Sequence, residues 1–115
     1  MLSKQFRLNR TDFSFIYKKG RRVRGKFFGL IIFIAENQNE PSKIGIVVGS
    51  QVHKNATSRN KLKRQIRTVL TSNLLKEPPL GLKIILTAFP DSRNLKFTEI
   101  KQELAELFAK AALLK

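Results

Sequence analysis

The chain contains no cysteine and no tryptophan, and it has a single histidine. Without cysteine there is no disulfide framework, no thiolate metal site and no thiol nucleophile. With His53 alone there is no histidine pair to complete a zinc site either. A lone histidine in a polar loop reads as solvated or hydrogen-bonded rather than as a catalytic group. Acids are scarce as well, eight Asp and Glu against 23 Lys and Arg. They are scattered apart from Glu99, Glu103 and Glu106, which sit at i, i+4 and i+7 among ordinary helix-surface lysines and read as a solvated face. No Gly-rich phosphate loop occurs. The longest apolar run, Phe27 to Ala35, has nine residues and is too short to span a bilayer as a helix. The opening residues Met1 to Arg7 lack the apolar core of a signal peptide. These absences argue against protein-based catalysis, secretion and membrane insertion, and they lead us to expect a cytoplasmic protein.

What is present in excess is positive charge. The formal net charge is +15 and the isoelectric point is near 10.9. Such an imbalance costs self-repulsion in the compact state, and a polyanionic partner offsets it. The charge is uneven. Residues 1–35 carry nine cations and one acid, Asp12, and eight cations and no acid lie between Glu40 and Glu77. The last 39 residues are nearly balanced, with six cations and five acids. Hydrophobic residues make up 42% of the chain, enough for a modest core and unlike a disordered basic tail. One RNA-binding domain over residues 1–115 is expected, with no internal repeat and no low-complexity segment.

The order of elements follows from hydrophobic period and breakers. Asn9 or Thr11 is placed to cap a first helix running to about Lys19, with Phe13, Ile16 and Tyr17 along one side and Gly20 at its end. Phe15 points away from Phe13 and Tyr17, so this helix cannot bury all three rings on one side. Arg21 to Lys26 is a basic link or short edge strand. Phe27 to Ala35 alternates Phe28, Leu30, Ile32 and Ile34 on one face with Phe27, Gly29, Ile31 and Phe33 on the other. Asn37 to Ser42 reads as a turn and Ile44 to Val48 as a second solid strand. Lys76 to Gly81, with Pro78 and Pro79, is a break. Lys83 to Ala88 is a third solid strand stopped by Pro90. A closing helix carries Phe97, Ile100, Leu104, Leu107, Ala111 and Leu114 at helical spacing. The expected fold is α+β, with helices packed on a small mixed four-stranded sheet in the order α-β-β-β-α-β-α.

The segment from Ala56 to Arg67 stands out. It sets five cations within nine residues, Arg59, Lys61, Lys63, Arg64 and Arg67, and still keeps helical period. Leu62, Ile66, Val69 and Leu70 form one apolar stripe, with Asn60, Arg64 and Arg67 roughly opposite and Lys61 and Lys63 on the flanks. Thr57 or Ser58 is placed to cap it. Docked by its stripe, such a helix presents guanidinium forks that match phosphate geometry. Phe13 and Tyr17, one turn apart and near Lys18, Lys19, Arg21 and Arg22, have two competing uses. They suit stacking on unpaired bases, and they suit a plain core.

The run Asn55-Ala56-Thr57-Ser58-Arg59-Asn60-Lys61-Leu62-Lys63-Arg64-Gln65-Ile66-Arg67 resembles the Arg-Asn-Arg helix of the bacterial ribonuclease P protein family. Asp12-Phe13 with Tyr17 and Gly20 is similar to that family's first helix, and Ile44 to Val48 is similar to its strand before the motif. The resemblance spans roughly residues 6 to 114. It implies a non-catalytic protein subunit of an endoribonuclease, whose RNA subunit holds the catalytic magnesium and removes the 5′ leader of precursor tRNA. It implies the catalytic RNA and precursor tRNA as partners, no required protein partner, and a left-handed β-α-β crossover containing the basic helix. Carried over by position, Arg59, Asn60, Lys61, Lys63, Arg64 and Arg67 face the catalytic RNA, while Phe13, Tyr17, Gly29 and Ile31 line the leader cleft. No catalytic or metal-binding residue is implied in the protein. The chain departs from the family pattern at several places. Lys61 replaces a second Arg, and the loop holding Ser50 and Gln51 is longer by one residue. Ala88 and Phe89 stand where cations are common, and Ile31 and Leu114 where aromatics are. The other reading that charge alone allows is a ribosomal or other structural RNA-binding protein.

Overall fold

The computed structural model describes residues 10–34, 42–71 and 81–111. Helix α1 spans Arg10–Lys19, strand β1 Arg21–Arg24, β2 Phe28–Ile34, β3 Lys43–Val48, helix α2 Ala56–Val69, β4 Leu82–Ala88 and helix α3 Phe97–Lys110, with a 3-10 turn at Pro90–Asn94 before α3. The order and type of the expected elements hold. The Asn9 cap, most of the turn at 37–42, Pro78, Pro79 and Leu114 lie outside the described residues. No helix among the described residues is long and apolar enough to cross a membrane.

The four strands form one mixed sheet in the order β1-β2-β4-β3. β1 and β4 run antiparallel to β2, and β3 runs parallel to β4, so β3, α2 and β4 make a crossover between parallel neighbours. The alternation of β2 decides which core each of its central residues joins, although Ile34 is exposed and Phe27 packs with the large core. Phe28, Leu30 and Ile32 join a large core with Leu62, Ile66, Val69 and Leu70 of the α2 stripe and Ile100, Leu104, Leu107 and Phe108 of α3. Ile31 turns to the opposite face and meets Ile16 and Ile85 in a smaller core, with Phe13, Phe33 and Val47 packed against it. The sheet therefore carries α2 and α3 on one face and α1 on the other.

Several local expectations are corrected. Thr11 lies inside α1 and is not its cap. The cap of α2 is Asn55 rather than Thr57 or Ser58: its side-chain oxygen accepts the Thr57 N–H at 2.8 Å, which satisfies one of the orphan first-turn donors. Gly20 does end α1, but the reason is close packing rather than a left-handed turn. Its N–H donates to the Ile16 carbonyl at 2.7 Å, and a Cβ there would stand 2.5 Å from Ile31 Cγ2. Phe97 is 39% exposed rather than part of the core, and Phe108, outside the expected stripe, is fully buried beside Ile100 and Leu104. Val52, in the loop before α2, is also a core residue. Gly81 has a φ of 78°, the left-handed region that favours glycine, at the entry to β4.

Candidate RNA-binding surfaces

The first surface is the outer side of α2. Its apolar stripe is wholly buried, and this orients the rest of the helix. Asn60, Lys61 and Arg64 are exposed, while Lys63 and Arg67 are half-buried along their stems. No acid lies in the helix. Among the described residues the salt bridge found is elsewhere, between Lys83 Nζ and Asp12 Oδ1 at 3.1 Å. The α2 cations thus face outward with no carboxylate among the described residues paired to them. Arg59 is different from the others. Its Nη1 donates to the carbonyls of His53 at 2.9 Å and Lys54 at 2.8 Å, so it ties the loop entering the helix to the first turn. That explains its half-burial and gives His53 a structural place through its backbone.

The second surface lies on the opposite face of the sheet, beside α1. Strand register sets side chains of neighbouring strands in rows. Arg22, Ile31, Ile85 and Gly45 form one row, and Arg24, Gly29, Thr87 and Val47 the next. α1 covers the first row through Ile16 and Phe13. Of the second row, Arg24, Gly29 and Thr87 border a hollow of about 270 Å³, which Tyr17, Arg22, Ile31 and Phe89 also line. Arg22 Nη2 donates to the Tyr17 carbonyl at 3.0 Å and pins the end of α1 to the edge strand.

Tyr17, Gly29 and Ile31 are therefore brought together. Tyr17 is 42% exposed and offers its ring to the hollow, whereas Ile31 is 6% exposed and serves mainly as core. Phe13 stands apart. Its ring rests on Gly45, where an added Cβ would lie 2.2 Å from Phe13 Cζ, and its centroid is 6.5 Å from that of Tyr17. Of the two uses open to this aromatic pair, Phe13 leans toward packing and Tyr17 toward contact. As expected, α1 does not bury all three rings: Phe15 is exposed and makes an edge-to-face contact with Phe33 at 4.8 Å.

Two residues of the hollow, Arg24 and Phe89, lie outside the site expected from sequence, and Arg22, expected only as a nearby cation, joins them. Arg22 and Arg24 alternate with Arg21 and Val23, a period-2 signal that puts both on one face of β1. Phe89 follows β4, and its N–H donates to the Phe27 carbonyl at 2.9 Å, which extends the pairing one residue and aims the ring back over the sheet. It fits because position 29 is glycine; a Cβ there would lie 2.8 Å from Phe89 Cζ. Arg24 Cζ sits over this ring, 4.6 Å from its centroid.

Two outward-facing basic surfaces, one phosphate-like in its match and one aromatic and hollow, on opposite faces of a small α+β sheet define a nucleic-acid-binding protein. The family model described as Ribonuclease P matches residues 2–112. The chain belongs to that family, as the protein component of an endoribonuclease whose catalysis lies in its RNA. It is 37% identical over 115 residues to the "Ribonuclease P protein component" of Pseudanabaena sp. (strain PCC 6903), covering 99% of this chain and 97% of that relative. The same component from Synechocystis sp. is 32% identical over 98% of this chain and 90% of its own length. Among solved structures, the RNase P protein of Staphylococcus aureus superposes with a TM-score of 0.85 at 27% identity, covering 97% of this chain and all of that one. That of Thermotoga maritima gives 0.78 at 28% identity over 90% of this chain and 96% of its own. Association with the RNase P RNA follows from membership, and nothing found favours a ribosomal role.

Proposed function

We propose that the two surfaces divide the work of leader removal between two RNAs. The outer face of α2, through Asn60, Lys61, Lys63, Arg64 and Arg67, binds the catalytic RNA, with Arg59 holding the helix entry in place. The hollow beside α1, through Tyr17, Gly29 and Ile31 with Phe13 behind them, holds the unpaired 5′ leader of precursor tRNA. The observation that carries this reading is the separation: α2 and α1 pack on opposite faces of one thin sheet, so each surface is free to meet a different strand. An interior only one sheet thick keeps both partners close.

The protein's contribution is electrostatic and positional. Lys and Arg neutralise phosphates, displace condensed counterions and let two polyanions approach. A held leader fixes where the adjoining scissile phosphate lies relative to the RNA. Magnesium, held mainly by the RNA, supplies the hydrolytic chemistry, and no cluster of three or more His, Asp or Glu side chains able to hold a metal ion occurs among the described residues. Such work on precursor tRNA belongs in the cytoplasm.

The test is the affinity of the reconstituted RNA–protein complex for precursor tRNA with a leader of several nucleotides, against mature tRNA. A preference for the precursor that is lost in Tyr17→Ala and weakened in Phe13→Ala is expected. Equal affinity for the two would overturn the leader assignment.

A further inference from the structure

The three arginines of β1 differ in how their guanidinium groups are used. Arg21 Nη2 donates to the Ala111 carbonyl at 3.1 Å and caps the end of α3. Arg22 Nη2 donates to the Tyr17 carbonyl. Arg24 makes no side-chain hydrogen bond among the described residues, yet it is not loose, because its Cζ lies over the Phe89 ring. Phe89 in turn has its place because Gly29 has no side chain. The result is a guanidinium held by its face and wetted at its edges, at the rim of a hollow whose other wall is the exposed Tyr17 ring. A guanidinium plane, like an aromatic ring, is a stacking surface for an unpaired base, and its N–H fork remains available to phosphate.

We infer that Arg24, mounted on Phe89, is a base-stacking residue for one unpaired nucleotide of the leader, with Phe89 and Gly29 as the residues that position it. The inference rests on the leader reading above and refines it: the hollow holds a base at one leader position, not only backbone charge. Leader recognition then has a position at which the presence of a base matters and Arg24 is why.

The experiment replaces each leader nucleotide in turn with an abasic one and measures binding to the holoenzyme reconstituted with wild-type, Arg24→Lys or Phe89→Leu protein. In the wild type, one position should show a loss on the order of tenfold when its base is removed. In Arg24→Lys, which keeps the charge and loses the plane, and in Phe89→Leu, which removes the support, that loss should vanish. An abasic penalty of the same size in all three proteins overturns the inference, as does a drop in affinity in the variants that ignores whether a base is present. Arg24 is exposed, so the lysine variant supports the comparison even if Phe89→Leu folds poorly. Failure of the leader reading itself looks different, since precursor and mature tRNA would then bind the wild-type holoenzyme equally.

Discussion

Helices α2 and α3 are equally long, fourteen residues each, and both press an apolar stripe onto the same face of the sheet. Their outer faces are opposites. α2 carries five cations and no acid. α3 sets Glu99, Glu103 and Glu106 against Lys101 and Lys110, and several of its polar groups find partners within the fold. Glu99 accepts the Lys96 N–H at 2.9 Å, Gln102 reaches Glu106, and Lys110 donates to the Arg24 carbonyl. The stripe decides where a helix docks and the outer face decides what it can meet, and the two are written on separate positions. α3 completes a fold, whereas α2 leaves charge that no carboxylate among the described residues neutralises.

Substitutions can break this comparison at each level. The largest effect should fall equally on both helices. Ile66→Ala in α2 and Leu104→Ala in α3, both fully buried, should each cost about 2–5 kcal/mol by urea or guanidinium unfolding. A much smaller loss in either would show that its stripe is not what docks it. Next is the opposite face of the sheet. Gly45→Ala drives a methyl into the Phe13 ring and should cost about 1–3 kcal/mol in the same assay. It should also reduce precursor preference if the Phe13–Tyr17 pair matters to binding. Removing the α2 cap with Asn55→Ala should cost about 0.5–2 kcal/mol, read as a lower thermal midpoint. Smallest in stability but clearest in function is the contrast of outer faces. Arg64→Ala should leave stability within about 0.5 kcal/mol and lower the salt slope of RNA-subunit binding by about one unit. Lys101→Ala in α3 should change neither. An unchanged salt slope in Arg64→Ala would remove α2 from the RNA interface.

Much of this was legible because two periods do most of the work. The 3.6-residue stripe of Leu62, Ile66, Val69 and Leu70 and the alternation in β2 each predict a buried face, and each is buried. Charge was legible too, since it needs only counting. What escaped were contacts between residues distant in the chain. The α2 cap was misplaced by two residues because Asn, Thr and Ser all suit the role and only the turn decides among them. Arg59 looked like the other α2 cations, but the path of the loop brings the His53 and Lys54 carbonyls to its guanidinium. Phe89 registered in sequence only as a departure from a position where cations are common.

The sequence by itself determined the class of the three helices and of strands β2, β3 and β4, the buried stripe and basic face of α2, and the family to which the chain belongs. These depend on local period, composition and motif, which neighbours in the chain carry. Tertiary structure alone decided the strand order β1-β2-β4-β3 and the register that puts Arg24, Gly29 and Thr87 in one row. It also decided which glycines are spaces for a ring: Gly45 for Phe13 and Gly29 for Phe89. A glycine that makes room looks in sequence like any other, because what fills the room comes from 32 or 60 residues away, by simple difference of the numbers, and arrives only when the sheet has closed.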